Sequence, residues 1–519
     1  MHAIYEIIDE LKKSLPERLE LNKIKARVAR KYRLQKMPKN ADILALVKEE
    51  DLSTLGPILQ RKPVRTISGI AIVAVMTRPH PCPGECIYCP VGENSPQSYT
   101  GEEPAALRAK RVSYDPYLQV VDRLLQLQKI GHPVDKVELI VMGGTFNAHP
   151  EDYQKWFIKR CFDALNNSGV KSPQTKSLEE VQILNECAGV RNVGLTLETR
   201  PDFIDPRVVN NMLKFGVTRV ELGVQTLKDS VYKKVKRGHS IKDVSIATKI
   251  LRDSGIKVGY HMMPGLFSDF DEDIEMIQTL FSDERFKPDF LKIYPTLVIP
   301  GTGLYKLWKE GEFTPYTDEE AIELLLRMKS LLPKWVRTMR IQRDIPKKLI
   351  AAGVKKGDLG AIVQEKLKEK NNRCRCIRCR DIGHLKYRGE IKFEENVEVL
   401  SEKYTASGGI EYFISAEDIR NDALIAYIRL RINEKSQSQR AIVRELRVLG
   451  PMVPIGARKK GARQHEGWGG MLLKKAEEAS IKNGSESILV NSAIGTREYY
   501  RKRGYKRRGP YMEKPLKGA

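Results

Sequence analysis

The chain has 519 residues, 41% of them hydrophobic and 30% charged, with eight cysteines and a formal charge of +24. Its length exceeds one ordinary domain and predicts two to four, its apolar content excludes a disordered chain, and no apolar run reaches the roughly 20 residues a membrane helix needs. Ninety lysines and arginines against 66 acids predict a polyanionic partner, nucleic acid first among them.

The opening stretch MHAIYEIIDELKKSL mixes acids and bases with apolar residues at helical spacing, unlike a secretory leader, so the chain reads as cytoplasmic. Between Leu21 and Lys39 eight residues are basic and none acidic. Lys23, Arg27, Arg30 and Lys31 are the candidates there for RNA phosphate contacts, with a merely solvated helix face as the alternative. From Thr66 onward six runs rich in Val and Ile, 67–77, 137–144, 193–201, 219–226, 257–265 and 289–296, alternate with helix-sized spacers. Such alternation predicts parallel βα units in an open sheet or a partial barrel, whose site assembles at the strand ends.

The loop after the first run reads HPCPGECIYCPVG and holds Cys82, Cys86 and Cys89. Three thiols leave a tetrahedral zinc one ligand short unless His80 or His261 completes it, whereas an iron-sulfur cubane on three thiolates keeps one iron open to a small molecule. Gly143 and Gly144, in MGGTF, permit close backbone approach to a ligand after the second run. Glu198 in LETRPD and Gln225 in GVQT end later runs with polar groups that could hold a cofactor or merely meet solvent.

A basic stretch follows, with Cys374, Cys376, Cys379 and His384 in the ligand count of a closed structural zinc site. Cys161 and Cys187 read as buried packing residues. The segments 411–433 and 441–455 predict an antiparallel meander, and the turn Gln464-His465-Glu466-Gly467-Trp468-Gly469 opens a helix whose free N–H groups suit a pyrophosphate. The tyrosine-rich TREYYRKRGY comes next.

The cysteine spacing resembles the radical S-adenosylmethionine (radical SAM) superfamily, and the glycine turn with its strand and tyrosines resembles the GNAT acetyltransferases. The segments VRTISGIAIVAVMTRPHPCP, VDKVELIVMGGTF and GTREYYRKRGY extend the resemblance, over residues 60 to 519, to the family of Elongator catalytic subunits, which modify the wobble uridine of tRNA. The implied fold is α/β: a basic helical tRNA-binding segment (1–65), a partial TIM-like (β/α)6 radical SAM barrel (66–360), a cysteine-rich zinc linker (361–390) and an α+β GNAT domain (391–519). The resemblance implies a 4Fe-4S cluster on Cys82, Cys86 and Cys89, and S-adenosylmethionine near Gly143, Gly144, Glu198 and Gln225. Acetyl-CoA is implied at Lys136, at Glu445, Leu446, Arg447 and Val448, at the turn of Trp468, Gly469 and Gly470, and at Tyr500. Lys136 and Tyr500 are the implied catalytic groups; Trp468 stands where relatives often have Phe, and the first two cysteines lack the longer insertion of eukaryotic members.

The implied chemistry joins the two halves. An acetyl methyl C–H resists two-electron alkylation of a pyrimidine carbon, but a primary alkyl radical can abstract that hydrogen, and the product is a 5-carboxymethyl group. The implied partners are tRNA, acetyl-CoA and S-adenosylmethionine, with no membrane; accessory subunits or a homodimer stay open. Two other readings compete: a protein lysine acetyltransferase with a structural cluster, and a non-catalytic tRNA-binding scaffold.

Overall fold

The computed structural model describes residues 1–15, 18–167, 177–391, 396–433, 440–450 and 467–516. Seven strands, β1 (Ala71–Met76), β2 (Lys136–Met142), β3 (Arg191–Thr199), β4 (Arg219–Gln225), β5 (Lys257–Met262), β6 (Phe290–Ile293) and β7 (Arg337–Ile341), pair in chain order into one parallel sheet. All six expected strands are present, so the six-stranded expectation is one strand short. β7 escaped the sequence reading because two of its five residues are arginines and it pairs only with β6, at the open edge.

Val, Ile and Leu at alternate positions of these strands are buried beneath the returning helices. The other face is charged. Register sets Thr196 beside Arg219, Glu198 beside Glu221, Glu221 beside Gly259 and His261 beside Lys292, so these side chains share the concave face of the curved sheet. Returning helices start at capping boxes led by Ser177, Ser240, Asp269 and Thr317.

A second sheet of β8 (Val397–Ala406), β9 (Gly409–Asp418), β10 (Ala423–Asn433), β11 (Arg440–Val448), β12 (Ser487–Val490), β13 (Lys506–Arg508) and β14 (Tyr511–Pro515) has the order β13-β14-β12-β11-β10-β9-β8. It is antiparallel except between β11 and β12. The expected meander is β9 to β11, with β8 added before it; residues 451–455, the basic run 457–463 and residues 464–466 of the glycine turn lie outside the described residues. Four N-terminal helices between His2 and Leu59 pack around a small core of their own, including Ile7, Leu11, Ile24, Val28 and Leu55. No described helix is long and apolar enough to cross a membrane.

The second sheet sits on the N-terminal ends of the barrel strands. Asn491 Nδ2 donates to the Val217 and Gly255 carbonyls just before β4 and β5, and Arg429 Nη2 donates to the Trp335 carbonyl just before β7. Phe413, Leu424, Tyr427 and Ile494 belong to the same apolar core as the barrel, so the two sheets share one interior. Inside it, Arg444 forks onto both oxygens of Asp289 at 2.6 and 2.7 Å and reaches Glu411 at 2.7 Å. Arg252 and Arg431 also hold Glu411, at 2.9 and 3.0 Å, and Arg429 holds Glu445 at 3.0 Å. Burial alone would raise the Asp289 carboxyl, but Arg444, Arg252 and Arg429 hold it far below the carboxylate range. Glu445 is held down to about 2, where Lys257, Arg429 and Arg447 outweigh burial.

Removing one partner from such a network strands the others as buried charges, so Arg444→Met is expected to cost about 3–5 kcal/mol, read as a lower urea midpoint; an unchanged midpoint would show that the network carries no stability. The depressed carboxyls contribute fully above their unfolded pKa of about 4. That stability is lost as pH falls through the folded values, about 2 for Glu445.

Candidate active site

The cysteine loop lies at the C-terminal end of the barrel, fixed by backbone bonds rather than by a helix. Ile87 N–H donates to the Val235 carbonyl at 3.1 Å, the Ile87 carbonyl accepts from Leu304 at 2.8 Å, and Cys89 N–H closes a turn on the Cys86 carbonyl at 3.0 Å. Cys86 is buried; Cys82 and Cys89 are partly exposed. A hydrogen bond from Cys89 and the Arg237 charge hold the Cys86 thiol down to about 4 against burial, and the same contact pushes Cys89 up. Among the described residues the three sulfurs do not gather within 4.8 Å of one another, as the ligand atoms of a single ion would. A multi-iron cluster, which spreads its thiolates over separate corners, fits this donor set better than one zinc. The histidines weighed as a fourth ligand are engaged elsewhere: His80 Nε2 lies 3.2 Å from the Ala148 carbonyl, and His261 Nε2 3.0 Å from Glu221.

Beside this loop the barrel offers a cradle. Gly143 and Gly144 have φ of 128° and 88°, and a Cβ on Gly143 would collide with Thr77 Oγ1. Thr77 Oγ1 and Gln225 Oε1 are buried without hydrogen-bond partners, two orphaned polar atoms that a bound polar ligand such as S-adenosylmethionine would satisfy. Glu198 accepts from Tyr99 OH at 2.9 Å and Lys292 Nζ at 3.2 Å. Lys292 also pairs with Glu221. Burial alone would raise the Glu221 carboxyl, but Lys292, the His261 hydrogen bond and Arg219 keep it ionised. Burial, then Lys292, lowers His261, so its ring is neutral at pH 7. Lys136, Ile140 and Met142 are only half-buried although β2 lies inside the sheet, so the lumen contains open space. Burial lowers the Lys136 pKa.

At the other end of the barrel, β11 and β12 pair only over residues 440–443 and then separate. Among the described residues the Glu445–Val448 backbone has no strand neighbour on its β12 side, an edge that could accept the amides of a pantetheine arm. The Glu445 side chain is spent on Arg429, so Glu445 can serve a coenzyme only through its backbone. The helix Trp468–Lys482 begins at Gly467, φ 93°, without a side-chain cap, so its first N–H groups remain for an anion. A Cβ on Gly469 would meet Tyr499 OH, a buried hydroxyl with no partner. Tyr500, by contrast, packs into the second sheet's core between Tyr499 and Tyr505, and burial raises its pKa.

The remaining candidates divide. Cys374, Cys376 and Cys379 do gather within 4.8 Å, and Lys329 Nζ and Thr338 Oγ1 each lie 3.4 Å from a sulfur of this set. His384 is not in that group: it sits in the short helix Ile382–Tyr387, where burial lowers its pKa to about 4, so the four-ligand expectation reduces to three thiols. Cys161 is buried as expected, but Cys187 is exposed, because it follows the helix Leu178–Asn185 on a surface turn into β3. On the basic helix Arg18–Lys31, Arg27 and Lys31 are paired with Glu10 and Glu6, while Lys23 and Arg30 have no acidic partner among the described residues. Arg237, Lys292, Glu221 and Tyr499 were missed by the sequence reading; each is an ordinary residue brought to the site by contacts distant in sequence.

Three family models match the chain: the radical SAM superfamily over residues 79–281, the radical SAM C-terminal domain over 288–369 and the ELP3 N-terminal domain over 1–67. The chain is 50% identical to a tRNA uridine(34) acetyltransferase of Methanocaldococcus infernus, covering 98% of each. It is 42% identical to the Homo sapiens Elongator complex protein 3, covering 96% of this chain and 94% of that one. A solved structure of the Methanocaldococcus infernus Elp3 lacking residues 1–46 superposes with a TM-score of 0.77 at 47% identity, covering 87% of this chain and 100% of the other.

Because Lys292 helps hold His261 neutral, Lys292→Met is expected to move the His261 titration upward, read from its ring proton resonances between pH 4 and 9. An unmoved titration would show that the lumen charges are not coupled.

Proposed function

The chain belongs to the Elp3 family of radical SAM tRNA uridine(34) acetyltransferases, and from that membership we propose how its two ends divide the reaction. A 4Fe-4S cluster held by Cys82, Cys86 and Cys89 would supply, with S-adenosylmethionine, the 5'-deoxyadenosyl radical that takes a hydrogen from the acetyl methyl. Gly143 and Gly144 admit the cofactor's backbone-facing side, and Thr77, Glu198 and Gln225 bind its polar groups. Acetyl-CoA lies along the Glu445–Val448 backbone with its pyrophosphate at Trp468, Gly469 and Gly470, and Lys136 guides the acetyl end into the barrel floor. Tyr499 OH stands nearer the turn than Tyr500, which serves as packing behind it. The wobble uridine receives a 5-carboxymethyl group, and we expect the reaction to run in the cytoplasm.

The observation that carries this reading is a three-cysteine loop at one end of a polar-lined barrel and, at the other, a strand, β11, that splays from β12 beyond Val443 while keeping its β10 pairing. We assign the segments 1–65, 66–360, 361–390 and 391–519 to RNA binding, radical chemistry, a metal staple and coenzyme binding. The staple is a zinc on Cys374, Cys376 and Cys379, which unlike the first three cysteines gather as the ligands of a single ion do, with its fourth position left to solvent; Lys329 and Thr338 would stabilise the thiolates from outside.

Incubation of anaerobically reconstituted protein with reductant, S-adenosylmethionine, tRNA and acetyl-CoA labelled in the methyl group should yield labelled 5-carboxymethyluridine, absent from Cys86→Ala. Labelled peptide lysine with no labelled uridine would favour the protein acetyltransferase reading. Metal analysis of chain purified without added iron should find about one zinc per chain, lost in Cys376→Ser; no zinc in the wild type removes the staple. Reversing Lys23 and Arg30 to Glu should weaken tRNA binding and reduce the slope of log affinity against log salt by about 2. An unchanged slope would place the RNA contacts elsewhere.

A further inference from the structure

Arg237 is buried in the turn between the helices Asp229–Lys234 and Ile241–Asp253. Its Nη1 lies 3.3 Å from Cys86 Sγ, its Nη2 donates to the Gly223 carbonyl, and its Nε has no partner. No described carboxylate lies within ion-pair distance of this guanidinium, although the chain pairs its other deeply buried arginines, Arg252, Arg429, Arg431 and Arg444, with acids. An uncompensated buried cation is costly, so its position needs an anion. Among the described residues the anionic group it faces is the cysteine loop: Cys86, with Cys89, Tyr88, Tyr232 and His239 the other titratable groups near it, none of them a carboxylate.

The surroundings fix that guanidinium. The Arg237 amide donates to the Tyr232 carbonyl at 2.8 Å, and its carbonyl accepts from Arg200 Nη2 at 2.8 Å. Arg200 is itself gripped by both Asp202 oxygens, at 3.0 and 2.8 Å. Its free Nη1 fills the space that a Cβ on Gly84 would need, between Cys82 and Cys86. Val235, two residues before Arg237, accepts the Ile87 amide, so the turn carrying the charge and the loop carrying the thiols move as one piece.

We propose that Arg237 is the charge partner of the iron-sulfur site, a positioning residue that orients the Cys86 sulfur and favours the electron-rich state of the bound cluster. The inference rests on the three-cysteine reading above. A cluster on three thiolates gains one negative charge when it takes one electron from a low-potential donor, with no bond made or broken. A fixed positive charge and a hydrogen bond at a ligand sulfur stabilise that added charge in a poorly screened interior and raise the reduction potential.

The test is a dithionite-driven redox titration of reconstituted full-length protein without S-adenosylmethionine, read by electron paramagnetic resonance, with iron counted on each sample. Arg237→Gln is expected to bind iron as the wild type does and to lower the reduced-to-oxidised ratio at fixed potential about tenfold, equivalent to ~59 mV for a one-electron couple. Arg237→Lys keeps the charge and should shift the ratio by less than about threefold, ~28 mV on the same scale. It also preserves the test if the Gln variant does not fold. An unmoved potential in Arg237→Gln, or a full tenfold loss in Arg237→Lys, overturns the charge role while leaving the cluster reading intact. Wild-type protein that takes up no iron overturns both.

Discussion

The structure depends on a cluster of buried ions between its two sheets. Asp289 and Glu411 are shared among Arg444, Arg252, Arg429 and Arg431, and none of these six side chains is more than 1% exposed. Apolar residues of the same size would seal the interface at lower desolvation cost, since buried ion pairs seldom add net stability over well-packed hydrophobic groups. What ions add is orientation: forked guanidinium bonds at 2.6 and 2.7 Å tolerate neither rotation nor sliding of one sheet on the other. The consequence is that β11, which carries Arg444 and then the Glu445–Val448 edge, is held against the barrel floor.

That placement gives the two chemistries their geometry. The barrel strands are four to nine residues long, so their ends lie about 13–30 Å apart at ~3.3 Å per residue. The lumen between those ends is lined by Glu138, Arg219, Glu221, His261 and Lys292 and is accessible in part. In the proposed reaction this ion-paired lumen would lie between an acetyl group presented at the floor and the cysteine loop. The protein acetyltransferase reading would use the same Glu445–Val448 edge but gives no role to the polar lumen or to the cysteine loop at its far end.

Much of this was legible because its causes are local. Three cysteines in eight residues, a glycine pair after a strand and a strand-turn-helix with a glycine cap each need only their neighbours to have meaning, and the described parts stand where the pattern put them. What escaped has long-range causes. Arg337 of β7 finds its acid in Asp381, 44 residues on, so no local pattern accounts for its charge in a strand. The chain spacing that grouped His384 with three cysteines could not show which way its helix turns it, and Cys187, expected to be buried from its residue type alone, lies on a surface turn. Arg237 is 151 residues from Cys86, so no motif joins them. Arg27 and Lys31, read as free cations, are half neutralised by Glu10 and Glu6 of the preceding helix.

The central claim is that the acetyl methyl held by the second sheet reaches the radical chemistry of the barrel within one chain. Reaction of reconstituted protein with S-adenosylmethionine, tRNA and acetyl-CoA deuterated in the methyl group tests it, through the deuterium content of the 5'-deoxyadenosine released. One deuterium in that nucleoside, formed also when the protein is too dilute for chains to meet, is the result the account predicts. 5'-Deoxyadenosine that carries no deuterium while the labelled thioester is consumed would contradict it.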